Sequence, residues 1–125
     1  MSRTMEPSDY LFTANTAVES FRVKSIEGAK EKGLVTVRPL MVGERVLVLE
    51  LFEEKGVEVP PHTHNDHESI VYLIRGRLKL RIGEQEFVAE SGCIWRHPAK
   101  VEHSSVALEE SLMIEIKSPP RKTWK

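Results

Sequence analysis

The chain has 125 residues, 40% hydrophobic and 30% charged, with 18 Lys+Arg against 19 Asp+Glu and a net charge of −1. That length fits one domain able to bury roughly two thirds of its unfolded surface. No basic stripe interleaved with aromatics is present, which argues against nucleic acid as a partner, and no apolar run approaches the ~20 residues needed to span a bilayer.

Residues 1 to about 20 are polar and mixed and read as an N-terminal arm; residues 21–125 read as the folded unit with a C-terminal tail. The opening MSRTMEPSDYLFTANTAVES lacks the basic-then-apolar order of a signal peptide, so the expected location is cytoplasmic. From residue 21 short apolar runs are broken by Gly, Pro and charge. Strands are expected near 21–26, 34–41, 44–53, 57–62, 69–75, 77–82, 85–89, 93–97, 102–108 and 111–117. The cleanest is LKLRI (78–82), with Leu78, Leu80 and Ile82 on one face and Lys79 and Arg81 on the other. Turns are expected at Val42-Gly43-Glu44, Lys55-Gly56, Arg75-Gly76 and Gly83-Glu84. GAKEKG (28–33), flanked by glycines, reads as a loop, and no segment carries a sustained 3.6-residue stripe. The pattern predicts a single all-β domain, a sandwich or barrel.

The histidines are sorted along the chain. The first 61 residues contain none, His62, His64 and His67 fall within six positions, and His97 and His103 follow. In a strand, residues i and i+2 point to one side, so His62 and His64 can aim both imidazoles at one point. The preceding Pro60-Pro61 pair stiffens an extended approach. A polar strand end facing water is the alternative reading of His-x-His alone.

The segment GVEVPPHTHNDHE…G (56–76) together with GCIWRHPAKVEH (92–103) resembles the paired motifs of the cupin superfamily. Gly56, His62, His64 and Gly76 fit the first motif; Gly92, Pro98 and His103 fit the second, with Lys100 in place of a glycine and Ala107 in place of an asparagine. The resemblance covers roughly residues 33–121. It implies a small antiparallel jelly-roll barrel with a divalent transition metal (Zn, Ni, Fe or Mn) held inside by His62, His64, Glu68 and His103. Counting forward from His64 reaches Glu68, whereas counting back from Gly76 reaches Ser69. A one-residue bulge could turn Glu68 inward; three histidines with an extra water, or His67 as substitute, remain open. His97 reads as an ordinary partly exposed histidine, and Trp95 and Cys93 as core or subunit-contact residues. The single cysteine leaves no internal disulfide and fits a reducing compartment.

The ending ALEESLMIEIKSPPRKTW (107–124) resembles small cupins of the pectin-degradation type, which act on unsaturated uronic acids. The resemblance implies Glu115 as the proton-transferring group and Arg121 as a cation for the substrate carboxylate. Lys117 stands where that subgroup has an aromatic residue. In SLMIEIK, Leu112, Ile114 and Ile116 alternate with Met113, Glu115 and Lys117. Were the even set to face the cavity, Glu115 would be a surface charge. The expected function is a metal-dependent isomerase or tautomerase of an anionic, sugar-like small molecule. A metal-dependent oxygenase and a non-catalytic binding barrel are the alternatives. The expected partners are a small-molecule substrate and a second copy in a homodimer, with neither nucleic acid nor membrane.

Overall fold

The computed structural model describes residues 3–125. They form β1 (Phe21–Arg22), β2 (Val35–Val42), β3 (Leu47–Glu53), β4 (Glu58–His62), β5 (Glu68–Arg75), β6 (Arg77–Ile82), β7 (Gln85–Glu90), β8 (Ile94–His97), β9 (His103–Ala107) and β10 (Ser111–Ser118). A single 3-10 turn at Asn15–Ala17 is the helical element among the described residues. All ten expected strands are present. The first is shorter than expected, because residues 24–26 leave β2 to bond the chain's tail and a local turn.

A six-stranded sheet in the order β1-β2-β3-β10-β5-β8 faces a four-stranded sheet in the order β4-β9-β6-β7. Every pairing is antiparallel, and the non-sequential neighbours make the whole a jelly-roll barrel. The core between the sheets comes from alternate positions: Val35 and Val37, Leu47 and Leu49, Val71 and Leu73, Leu78 and Leu80. Burying each such side chain contributes about 1.5–3 kcal/mol. Lys79 and Arg81 point to solvent, as the LKLRI pattern predicts.

Gly76 carries the chain from the large sheet to the small one. Its φ is 115°, and a Cβ there would stand 2.3 Å from Ser111 Oγ and 2.6 Å from the Glu110 carbonyl oxygen. Glycine alone fits that approach.

The facing of β10 is decided by its neighbours. Glu115 pairs with Leu49 on β3 and Val71 on β5, two core positions, so it shares their side of the sheet. Ser111, Met113, Glu115 and Lys117 are therefore buried, and Ile116 is turned to the outer face. Two polypeptide segments roof the end of the barrel where Lys117 lies. Residues 24–27 bond backbone-to-backbone with Thr123 and Lys125, and Met5 bonds Pro120.

Candidate metal centre

His62 ends β4 and lies directly across from His103, the first residue of β9. The ladder between them is irregular: Val59 pairs with Ser105 and His62 with His103, a three-residue step against a two-residue step. Pro60 and Pro61 fill the longer step. They lack the N–H groups a regular ladder would use, so the bulge falls where pairing is already impossible. His64 follows on the β4–β5 loop. The ring centroids lie 4.2 Å apart for His62–His103, 4.9 Å for His64–His103 and 5.1 Å for His62–His64. One ring nitrogen of each comes within 4.8 Å of those of the other two, the spread expected of a shared metal.

The hydrogen bonds select which nitrogens are free. Nδ1 of His62 lies 2.9 Å from the Pro60 carbonyl, Nδ1 of His103 lies 3.3 Å from the Val101 carbonyl, and Nδ1 of His64 lies 3.3 Å from Glu27 Oε2. Each of those oxygens can only accept, so each Nδ1 carries the proton and each Nε2 keeps a lone pair. Burial lowers the pKa of all three imidazoles, that of His64 to about 2 and that of His103 to about 3. At neutral pH the three are uncharged donors. Such a donor set fits a divalent transition metal.

His67 is buried, and its ring lies 4.4 Å from that of His64. Its Nδ1–H donates to Asp66 Oδ1 at 2.9 Å, and its buried Nε2 has no hydrogen-bond partner. Glu68, expected among the ligands, is exposed on β5 and stands outside the group of converging donors. The alternation that buries Ser69, Val71 and Leu73 sends Glu68 to the other face. Counting back from Gly76 finds the inward residue.

His97 faces the interior. Its ring stacks on His103 with centroids 3.7 Å apart and planes 9° apart. Trp95 Nε1–H donates to His97 Nε2 at 3.2 Å, which places the remaining proton on Nδ1, 3.2 Å from Ser69 Oγ and 3.8 Å from Glu115 Oε2. Glu115 is 7% exposed and Lys117 2% exposed. Their charged atoms lie 3.9 Å apart, and Lys117 Nζ donates to Thr123 Oγ1. Burial pushes the Glu115 carboxyl up, but Lys117 and His97 outweigh it and hold the group below the usual carboxylate range. Burial lowers the Lys117 ammonium's pKa, and Glu115 and Glu27 oppose that shift.

These groups share one cavity of about 70 Å³, whose wall includes His62, His64, His97, His103, Glu115 and Lys117. Arg121 is not part of that wall. Its Nε lies 3.5 Å from Asp66 Oδ2 and its guanidinium bonds Thr4, which ties it to the outer rim. Two functional features carry no spacing signal in the sequence. Glu27, 37 residues before His64, orients that ring and is itself paired with Arg3. Glu53 lines the same cavity with a buried, unbonded Oε1, and burial together with Glu115 and Glu31 raises its pKa to about 7.

A ten-stranded antiparallel jelly roll with a histidine triad inside defines a class of small barrel able to hold a metal. The family follows from the sequence: the model of the cupin domain matches residues 48–115, more than half of the chain, and the chain belongs to that family. Among solved structures, KdgF from Halomonas sp. is 24% identical with a TM-score of 0.67, over 70% of this chain and 82% of that one. An RmlC-like cupin from Shewanella frigidimarina is 21% identical with a TM-score of 0.76, over 94% and 97%. A predicted oxalate decarboxylase from Thermotoga maritima is 14% identical with a TM-score of 0.74, over 88% and 99%. At these identities the likeness speaks for the fold alone. No curated protein matches the chain. Among the described residues no helix is long and apolar enough to cross a membrane.

Proposed function

We propose that this cupin is a metal-dependent isomerase or tautomerase of a small, anionic, sugar-like acid, with unsaturated uronates the leading substrate class. The observation that carries the reading is the inward Glu115, an ionised carboxylate in the same cavity as three neutral imidazoles. The resemblance of residues 107–124 to cupins of the pectin-degradation type supports the substrate class. His62, His64 and His103 would hold the metal; His67, buried beside His64 with an unbonded Nε2, lies next to that group and outside it. The chemistry such a site would supply, with zinc, nickel, iron or manganese bound, is polarisation of a carbonyl or enol oxygen.

The protein's own part is the proton. Glu115 takes the enol proton on a carboxylate oxygen and returns it to the neighbouring carbon, turning enol to ketone with no net change of atoms. His97 Nδ1–H, fixed by the Trp95 bond to Nε2, lies 3.2 Å from Ser69 Oγ and turns its positive end toward Glu115 Oε2 at 3.8 Å. Trp95, Met113 and Trp124 line the cavity and limit the water that would scramble the proton.

The test pairs elemental analysis of untagged protein with NMR of a 4,5-unsaturated uronate mixed with wild type or Glu115→Gln. The reading expects about one equivalent of metal and turnover lost in the variant. No metal after reconstitution with all four ions overturns it. Metal uptake without turnover makes the chain a metal-holding binding barrel, and dioxygen consumption makes it an oxygenase.

The same reading includes a homodimer. Ile70, Tyr72, Ile94 and Ile116 stand exposed together on the outer face of the large sheet, and Leu11 and Phe12 of the N-terminal segment are 100% and 89% exposed. Apolar surface of that extent is what a second copy would cover. Light scattering at twice the chain mass checks it.

A further inference from the structure

The substrate acid needs a cation, and Arg121, held beside Asp66 and Thr4 at the rim, is not on the cavity wall. Lys117 offers one inside. It is the largest fully buried side chain of the barrel, and it shares the cavity wall with the histidine triad. Buried ammonium groups are costly, and an apolar pair in place of a buried ion pair is often as stable or more so. Its cross-strand neighbours, Leu47 and Ser69, carry no charge to pair with it.

The lysine is also under-bonded. An ammonium has three N–H donors. One goes to Thr123 Oγ1. Glu115 Oε1, at 3.9 Å, is close enough for attraction and too far for a hydrogen bond. The Trp124 ring, with its centroid at 5.8 Å, presents a face and no lone-pair acceptor. Donor capacity is therefore left for an acceptor that enters the cavity. Charge points the same way: a divalent ion held by His62, His64 and His103 would add positive charge to the cavity that Lys117 lines.

We propose that Lys117 is the binding group for a carboxylate of the substrate, and so the residue that selects acids over neutral sugars at this site. The inference rests on the metal-centred reading above and deepens it by placing the acid's carboxylate on the wall formed by Lys117, Thr123 and Trp124. That wall continues outward, since Thr123 and Trp124 also line a hollow of about 480 Å³ at the rim. The body of the molecule extends that way.

The experiment is calorimetry with two matched probes, D-galacturonate and its neutral counterpart D-galactose, on metal-free and Zn-loaded protein. Wild type should bind the acid at least about tenfold more tightly than the neutral sugar. Lys117→Met should abolish that preference while leaving zinc stoichiometry unchanged; Lys117→Arg should keep most of it, and Arg121→Met all of it. Should Lys117→Met fail to fold, Lys117→Met/Glu115→Gln, which removes both charges, should show the same loss. A preference that survives removal of Lys117, or equal or absent binding of both probes by wild type, overturns the proposal. Failure to take up zinc would refute the metal-centred reading instead, and the metal-free titrations would still decide the role of Lys117.

Discussion

The two sheets contribute different chemistry to one cavity. The small sheet and its β4–β5 connection supply neutral donors: His62 from β4, His103 from β9 and His64 from the loop between. The large sheet supplies charge and hydrogen-bonding polarity: Glu115 and Lys117 from β10 and His97 from β8, whose Nδ1 lies against Ser69 Oγ of β5. Their burial has opposite consequences. Imidazoles lose their charge on burial and become better ligands, whereas in the Glu115–Lys117 pair each member opposes the effect of burial on the other. Metal affinity should therefore follow the small sheet, and stability and substrate charge the large one.

The sharpest break of that division is His62→Ala/His103→Ala. Metal content should fall from about one equivalent to background while the melting profile of the metal-free protein moves little. Unchanged metal content would show that the donors lie elsewhere.

Next in size comes Lys117→Met, which leaves Glu115 buried and unpaired. Chemical denaturation should show a loss of about 3–5 kcal/mol, largely recovered in Lys117→Met/Glu115→Leu. If the double variant is as unstable as the single one, the pair is not the origin of the cost.

Glu53→Gln tests the far end of the same cavity. The folded carboxyl keeps its proton up to about pH 7, against 4.5 for the unfolded group. Its contribution to stability is thus fully present below pH 4.5 and is lost as pH rises through about 7. Glutamine has no proton to lose, so the variant should exceed wild type by about 3 kcal/mol at pH 8 and match it at pH 4. Parallel stability curves across that range would rule out the raised value.

The smallest effect is expected from Glu27→Gln, which keeps an acceptor beside His64 Nδ1 but removes its charge. Metal affinity should fall by about 10- to 100-fold by competition with a chelator, with no change in stoichiometry. An unaltered affinity would mean that Glu27 acts through Arg3 and the roof alone.

Much of the barrel was legible because its signals are local. Glycine at turns and alternation along strands such as 78–82 mark the elements, and the spacing from Gly56 to His64 and from Gly92 to His103 marks the motifs. The facing of β10 was not, because both of its sides carry apolar residues; pairing with Leu49 and Val71 settles it. The inward turn of His67 depends on the loop after His64, and that of His97 on β8 pairing with β5, neither of which spacing records. Glu27 reaches His64, and Glu53 the cavity, from positions with no motif, so long-range packing alone reveals them. Arg121 shows the converse: a residue that fits its motif is drawn aside by Asp66.

The double proline before His62 makes the geometry of β4 a matter of odd and even counting. Val59 and His62 are three residues apart, a spacing that an uninterrupted strand would send to opposite sides, and the bulge restores their common side. Deleting one proline would make the spacing two, so regular alternation alone would keep both residues facing inward. Inserting a residue would make it four and have the same effect only if the bulge were widened or lost. By this counting the chain should tolerate shortening at this point more readily than lengthening.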